Sequence, residues 1–313
     1  MNKLEKAILK AISRPSYDVK KRYRLERSLK QLKAPLLAPL YKSWDQKVFD
    51  GTREINTRVF SPKDKNPSNT IIFFHGGGWV TENIDSYNNI CKNLSTYTNS
   101  KLISVEYRLA PEHPFPQGFD DCYAVAKQVH QIQAERNILP GKIILMGDSA
   151  GGNLAAAVSL KARDTKEFNV AAQVLLYPAT YFDHSPFSPF KSIQENGTGY
   201  ILTAQKVCDY MSLYKRTDDD LLNPYFAPLM AGDFSNQPNT LIITAEFDPL
   251  RDEGEKYGEK LQEAGNVVEI YRMEDAIHGY MYLGPRYVHV KKTYDLINHF
   301  FNESEAICTK DKL

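Results

Sequence analysis

The chain has 313 residues, 42% of them hydrophobic and 25% charged, with a formal net charge of +1. That balance describes an ordinary globular protein with enough chain to bury a sizeable core. It excludes a global field that would recruit nucleic acid, and no segment is long and apolar enough to span a bilayer.

The charge is concentrated at the start. Residues 1–33 carry eleven Lys/Arg against three Asp/Glu, a local balance of +8, with Leu4, Ile8, Ala11 and Ile12 at helical spacing. This pattern predicts an amphipathic helix laid on the protein's own body, with docking on an anionic membrane surface as the alternative. The first charged residues are not followed by the apolar core of a secretory signal, so a cytoplasmic location is expected. Cys91, Cys122, Cys208 and Cys308 form no C-x-x-C pair and no Cys/His cluster, which points to reduced thiols and no metal site.

From residue 48 onward the chain alternates. Short apolar or β-branched runs at 48–49, 55–60, 70–74, 101–106, 142–146, 172–177, 241–245 and 267–273 are bounded by Gly, Pro or Asn and read as strands. From residue 70 they alternate with helical stretches near 87–97, 119–136, 151–163, 253–264 and 287–301. Uninterrupted apolar strands such as 71–74 suit a sheet covered on both faces, so the fold class is α/β with a mostly parallel central sheet. The two earliest runs, with polar residues between the apolar ones, are expected at an antiparallel edge. More than sixty residues separate Tyr177 from Leu241, too many for a loop, and 203–214 reads as a helix within them. This insertion, placed over the strand C-termini, is expected to form a helical cap with the N-terminal segment.

Three features carry chemistry. Gly147-Asp148-Ser149-Ala150-Gly151 is a G-x-S-x-G between a predicted strand and a predicted helix. That context defines a nucleophile elbow, a sharp turn that exposes the serine hydroxyl at a helix N-terminus. His75-Gly76-Gly77-Gly78-Trp79 directly follows strand 70–74, and a glycine run there can turn its N–H groups toward a ligand. The oxyanion donors would be Gly77, Gly78 and Ala150. A phosphate cradle would need a G-x-G-x-x-G or a Lys-Ser/Thr following the glycine run, and this loop has neither. A serine nucleophile needs a base and an orienting acid, in the chain order Ser, acid, His. Asp248 follows strand 241–245, with Glu246 as its rival, and His278 follows strand 267–273. The other histidines, His113, His130, His289 and His299, read as surface or structural groups, and His184 has no partner that the sequence identifies.

Together, His75–Trp79, the run Tyr107-Arg108-Leu109-Ala110-Pro111-Glu112-His113-Pro114-Phe115-Pro116, Gly147-Asp148-Ser149-Ala150-Gly151-Gly152, Asp248-Pro249-Leu250-Arg251-Asp252-Glu253 and His278-Gly279 resemble the hormone-sensitive lipase family of esterases, which includes bacterial acetyl esterases. The resemblance implies one α/β-hydrolase domain over 1–313, an eight-stranded core, and cap elements at about 1–40 and 183–217. It implies Ser149, Asp248 and His278 as a catalytic triad, with Gly77, Gly78 and Ala150 as the oxyanion hole and no cofactor. Asn223-Pro224-Tyr225-Phe226-Ala227-Pro228-Leu229 and Tyr280 depart from the family's usual residues without touching the triad. The expected activity is hydrolysis of short- to medium-chain acyl esters through an acyl-enzyme, on a small-molecule ester substrate; a homo-oligomer is left open. An arylformamidase or amidase on the same fold is the alternative. A small-molecule receptor is the more remote one, since such receptors lack the triad histidine that His278 supplies.

Overall fold

The computed structural model describes residues 18–32, 43–63, 66–136, 139 and 141–310. The apolar positions Leu4, Ile8, Ala11 and Ile12 and the linker 34–39 lie outside these described residues. An eight-stranded sheet runs in the order β1-β2-β4-β3-β5-β6-β7-β8. Its strands are β1 (Ser43–Phe49), β2 (Glu54–Phe60), β3 (Asn69–Phe74), β4 (Ser100–Val105), β5 (Ile143–Asp148), β6 (Ala172–Leu176), β7 (Asn239–Phe247) and β8 (Val268–Ile277). β1 and β2 pair antiparallel, as do β2 and β4, and every other pairing is parallel. The expected antiparallel edge is therefore present. β1 is longer than the run at 48–49 because most of its side chains face solvent and carry no apolar signal.

Eight α-helices are described: α1 (Val19–Leu32), α2 (Asn88–Tyr97), α3 (Gln117–Arg136), α4 (Ala150–Thr165), α5 (Lys191–Asn196), α6 (Ala204–Tyr214), α7 (Arg251–Glu263) and α8 (Val288–Lys310). The period-2 alternation of a strand sends successive side chains to opposite faces, and each face is covered. Ile72, Phe74, Leu145, Leu175 and Ile242 join the α3, α4 and α7 core, which includes Phe119, Leu154 and Tyr257. Ile71, Phe73, Ile144, Val174 and Ile243 join the α2 and α8 core, with Leu94, Tyr294 and Ile297. All residues of β3, β5 and β6 are buried, each large apolar side chain contributing roughly 1.5–3 kcal/mol. Double coverage holds the parallel strands, and so their C-terminal ends, in a fixed frame.

Above those ends lie α1 and the insertion. Thr203 caps α6, its hydroxyl accepting the Lys206 N–H at 3.2 Å. α1 packs on α6, buries Val19 and Tyr23, and is tied down by Arg27, which donates to the carbonyls of Val80 and Ala110. The six-residue α5 is an addition to the predicted elements: it is too short to show a helical period.

Candidate active site

The turn between β5 and α4 holds Ser149 at φ 55°, ψ −119°, a region that side-chain-bearing residues rarely occupy. Such strain persists only where the surroundings enforce it. Here the Ser149 N–H donates to the Leu176 carbonyl (2.9 Å), and its own carbonyl accepts from Asn153 (3.0 Å). The turn also brings α4 against the end of β3, so a Cβ on Gly151 would lie 1.9 Å from the Phe74 carbonyl oxygen.

Asp248 and His278 are brought together by strand register. β7 and β8 are parallel neighbours, and beyond a bulge near Ala245 the last pair is Phe247 with Ile277. Each residue immediately follows the last paired position of its strand, so the two side chains emerge side by side. β8 runs four residues past the predicted end at Met273, and His278 stands directly on that extension. The His278 Nδ1–H donates to Asp248 Oδ2 at 2.6 Å, which leaves Nε2 to accept from the Ser149 hydroxyl at 2.9 Å. Asp248 is wholly buried and its second oxygen accepts the Leu250 N–H at 2.9 Å. Glu246 is engaged elsewhere, accepting the Asp275 N–H (2.6 Å) at the bulge.

Gly77 and Gly78 have φ of 98° and 61° and line one cavity of about 590 Å³ with Ser149, Ala150 and His278. The N–H groups of Gly77, Gly78 and Ala150 donate to no protein acceptor among the described residues. The preceding Gly76 N–H is held by Asp148 Oδ1 (2.9 Å) and the Tyr87 hydroxyl oxygen (3.0 Å). His75 is buried, stacks on Tyr107 with ring centroids 4.3 Å apart, and burial pushes its pKa down to about 4, so it is neutral. The remaining wall is largely apolar and comes from Ile201, Leu202, Val207 and Tyr210 of the insertion, with Glu26 and Lys30 of α1. Among the described residues no group of three His, Cys, Asp or Glu is placed to hold a metal, and no helix is long and apolar enough to cross a membrane.

Asp148 is pushed up to about 7, chiefly by burial, with the Tyr87 hydrogen bond and the His278 charge opposing. An unfolded aspartate ionises near 3.8, so between these values the folded chain holds a proton that the unfolded chain has lost. The resulting stabilisation is full below the lower value and disappears as pH rises through the higher one. Asp148→Asn is therefore expected to gain stability relative to wild type as pH rises from about 4 to 7, by on the order of 4 kcal/mol, and to hold level above. Urea melts of both proteins at several pH values measure this; parallel pH curves contradict it.

Several contacts escaped the sequence. α5 clips the acid-bearing loop: Ser192 Oγ donates to the Pro249 carbonyl (2.7 Å), and Asn196 Nδ2 donates to the Glu246 carbonyl (3.0 Å). His184 finds its partner in Glu253, Nε2 to Oε2 at 2.6 Å with both side chains buried. Tyr177, at the end of β6, sets its ring edge-on to His278 at 4.9 Å. The Tyr280 hydroxyl is buried against Thr293 Oγ1 at 2.6 Å.

An eight-stranded sheet with its serine on the β5–α4 turn, and an Asp–His pair at the ends of β7 and β8, defines the α/β-hydrolase class of protein. Residues 71–282 match the model of a family described as having the alpha/beta hydrolase fold. An arylesterase of Saccharolobus solfataricus is 37% identical over 244 residues, 78% of either chain. The carboxylesterase NlhH of Mycobacterium tuberculosis is 36% identical over 262 residues, covering 81% of this chain and 80% of that one. The solved structure of a hyperthermophilic esterase from Pyrobaculum calidifontis superposes with a TM-score of 0.83 at 33% identity, covering 96% of this chain and 97% of that one. The chain belongs to the alpha/beta hydrolase fold family, in its hormone-sensitive lipase-like branch.

Proposed function

We propose that the protein is a carboxylic ester hydrolase with Ser149 as nucleophile, His278 as general base and acid, and Asp248 as the orienting carboxylate. The observation that carries this reading is the unbroken hydrogen-bonded chain from Asp248 through His278 to Ser149, opening beside the uncommitted N–H groups of Gly77, Gly78 and Ala150. Relatives named as an arylesterase and a carboxylesterase support it.

The chemistry follows from the geometry. Ser149 Oγ attacks the ester carbonyl carbon while its proton passes to His278 Nε2. The carbonyl π electrons become an oxyanion, which the backbone N–H groups of Gly77, Gly78 and Ala150 stabilise. Asp248 holds the Nδ1–H tautomer and offsets the imidazolium charge. Collapse of the oxyanion expels the alcohol, which takes the proton from Nε2 and leaves an acyl-serine. Water then repeats the sequence with His278 as base and frees the acid. No step draws on a metal or organic cofactor.

α1 and the insertion act in this reading as the cap that excludes water and limits acyl length. The described cysteines Cys91, Cys122 and Cys208 are unpaired, in keeping with a cytoplasmic enzyme acting on a small ester. The test is kcat/KM across p-nitrophenyl esters of increasing acyl length, with N-formylkynurenine as the competing amide. Short to medium acyl esters should lead, with a decline once the chain outgrows the cavity. A higher kcat/KM on the formamide would replace the ester reading with the amidase one.

A further inference from the structure

Apart from the triad, the cavity wall contains a carboxylate that the proposed mechanism does not use. Glu82 is 5% exposed and follows the oxyanion loop. The turn that leads to it is tight: the Gly77 carbonyl accepts from the N–H groups of Val80 (3.1 Å) and Thr81 (3.0 Å) and from the Thr81 hydroxyl (3.0 Å). It folds Glu82 back across Gly77, so that a Cβ there would stand 2.4 Å from Glu82 Cγ and 2.9 Å from its N. The Glu82 stem thus lies against a glycine whose N–H is assigned to an oxyanion, and a buried negative charge at the end of that stem works against the reaction, because like charges oppose each other most where water is excluded.

One cation answers it. Lys30 of α1 reaches across to form an ion pair with Glu82 Oε1, and also meets Glu26 one helical turn back at 3.0 Å. Among the described residues no other Lys, Arg or His forms an ion pair with Glu82. Lys30 is not what holds α1 in place, since Arg27, Val19 and Tyr23 anchor that helix independently.

We propose that Lys30 and Glu82 are positioning residues for the oxyanion loop, with Lys30 of the N-terminal helix neutralising the carboxylate whose stem packs on Gly77. The inference rests on the ester-hydrolase reading and deepens it: the N-terminal helix takes part in the chemical step as well as in shaping the pocket. The pair lines the cavity beside the oxyanion loop and supplies no reacting atom, so for a short acyl group its loss is expected to act on the transition state more than on ground-state binding.

The experiment measures kcat and KM on p-nitrophenyl acetate, with thermal melts, for four variants beside wild type. Lys30→Met should lower kcat roughly tenfold or more with KM within about twofold, because the uncompensated charge opposes the oxyanion. Lys30→Arg, which keeps the charge, and the double variant Lys30→Met/Glu82→Gln, which removes both charges, should recover most of that loss. Unchanged kcat in Lys30→Met overturns the proposal, and so does a double variant as slow as the single one, which would mark a packing role. If Lys30→Met does not fold, Lys30→Gln is read in its place against the same double-variant criterion. The fourth variant, Ser149→Ala, separates the two readings. If it stays active, the hydrolase reading fails; if it is inactive while Lys30→Met is unaffected, only the coupling fails.

Discussion

Replacing Ser149 with alanine is expected to lower kcat for an acyl ester by on the order of 10³ or more while the protein stays folded. In the proposed mechanism the side chain supplies the nucleophilic oxygen and the proton that His278 Nε2 accepts at 2.9 Å, and among the described residues no other hydroxyl shares that contact. The turn that carries it is held by backbone hydrogen bonds that alanine keeps. A variant retaining a tenth of wild-type kcat would remove Ser149 from the mechanism. Within the same series Asp248→Asn should cost far more than Glu246→Gln. In the proposed triad Asp248 fixes the His278 tautomer, whereas Glu246 accepts a backbone N–H at the bulge. The reverse ranking would transfer the orienting role to Glu246.

Gly151→Ala is expected to damage both stability and turnover, although residue 151 bears no reactive atom. The added methyl would meet backbone that cannot rotate away: the Phe74 carbonyl oxygen at 1.9 Å, the Phe74 carbonyl carbon at 2.6 Å and the His75 carbonyl oxygen at 2.7 Å. Relief requires α4 to part from the end of β3. That displaces Ser149 relative to the loop bearing Gly77 and Gly78. A loss of about 3 kcal/mol or more in urea unfolding is expected, at the upper end of overpacking costs. A fall in kcat of about a hundredfold should accompany it, since displacements near 1 Å carry penalties of that size. Gly232→Ala serves as the control: nothing lies within 4 Å of the position, and a change within about 0.5 kcal/mol is expected. If Gly151→Ala matches that control, the close approach of helix and strand is not a constraint.

The parts of the fold legible in the sequence are those whose physics is local. β3, β5 and β6 are buried throughout, so their apolar runs are continuous and announce themselves. β1 shows only its last two residues because most of its length faces solvent. β8 is underread for a related reason: Glu274 and Asp275 interrupt the apolar run, while the ladder continues past them through a bulge that Glu246 stabilises. The candidate site was legible because its residues fall at strand ends and tight turns, where chain order and glycine spacing are informative. Ser149, Asp248 and His278 meet in the structure as that order anticipates. The supporting contacts were not legible. His184 meets Glu253 across 69 residues and Lys30 meets Glu82 across 52, and no period or motif records which charges will pair at such separations.

The insertion between β6 and β7 divides into two stretches with different allegiances. From His184 to Asn196 it is bolted to the loop carrying Asp248, through Glu253, the Pro249 carbonyl and the Glu246 carbonyl. From Ile201 to Tyr210 it faces the cavity instead. On the proposed reading of the insertion as a lid, an exchange aimed at new substrate ranges has a natural seam just after Asn196. Segments grafted downstream of that seam can vary in length and polarity while the acid keeps its alignment. A graft that begins at the exit of β6 would discard the brace along with the lid, and would change the enzyme's speed when only its appetite was meant to change.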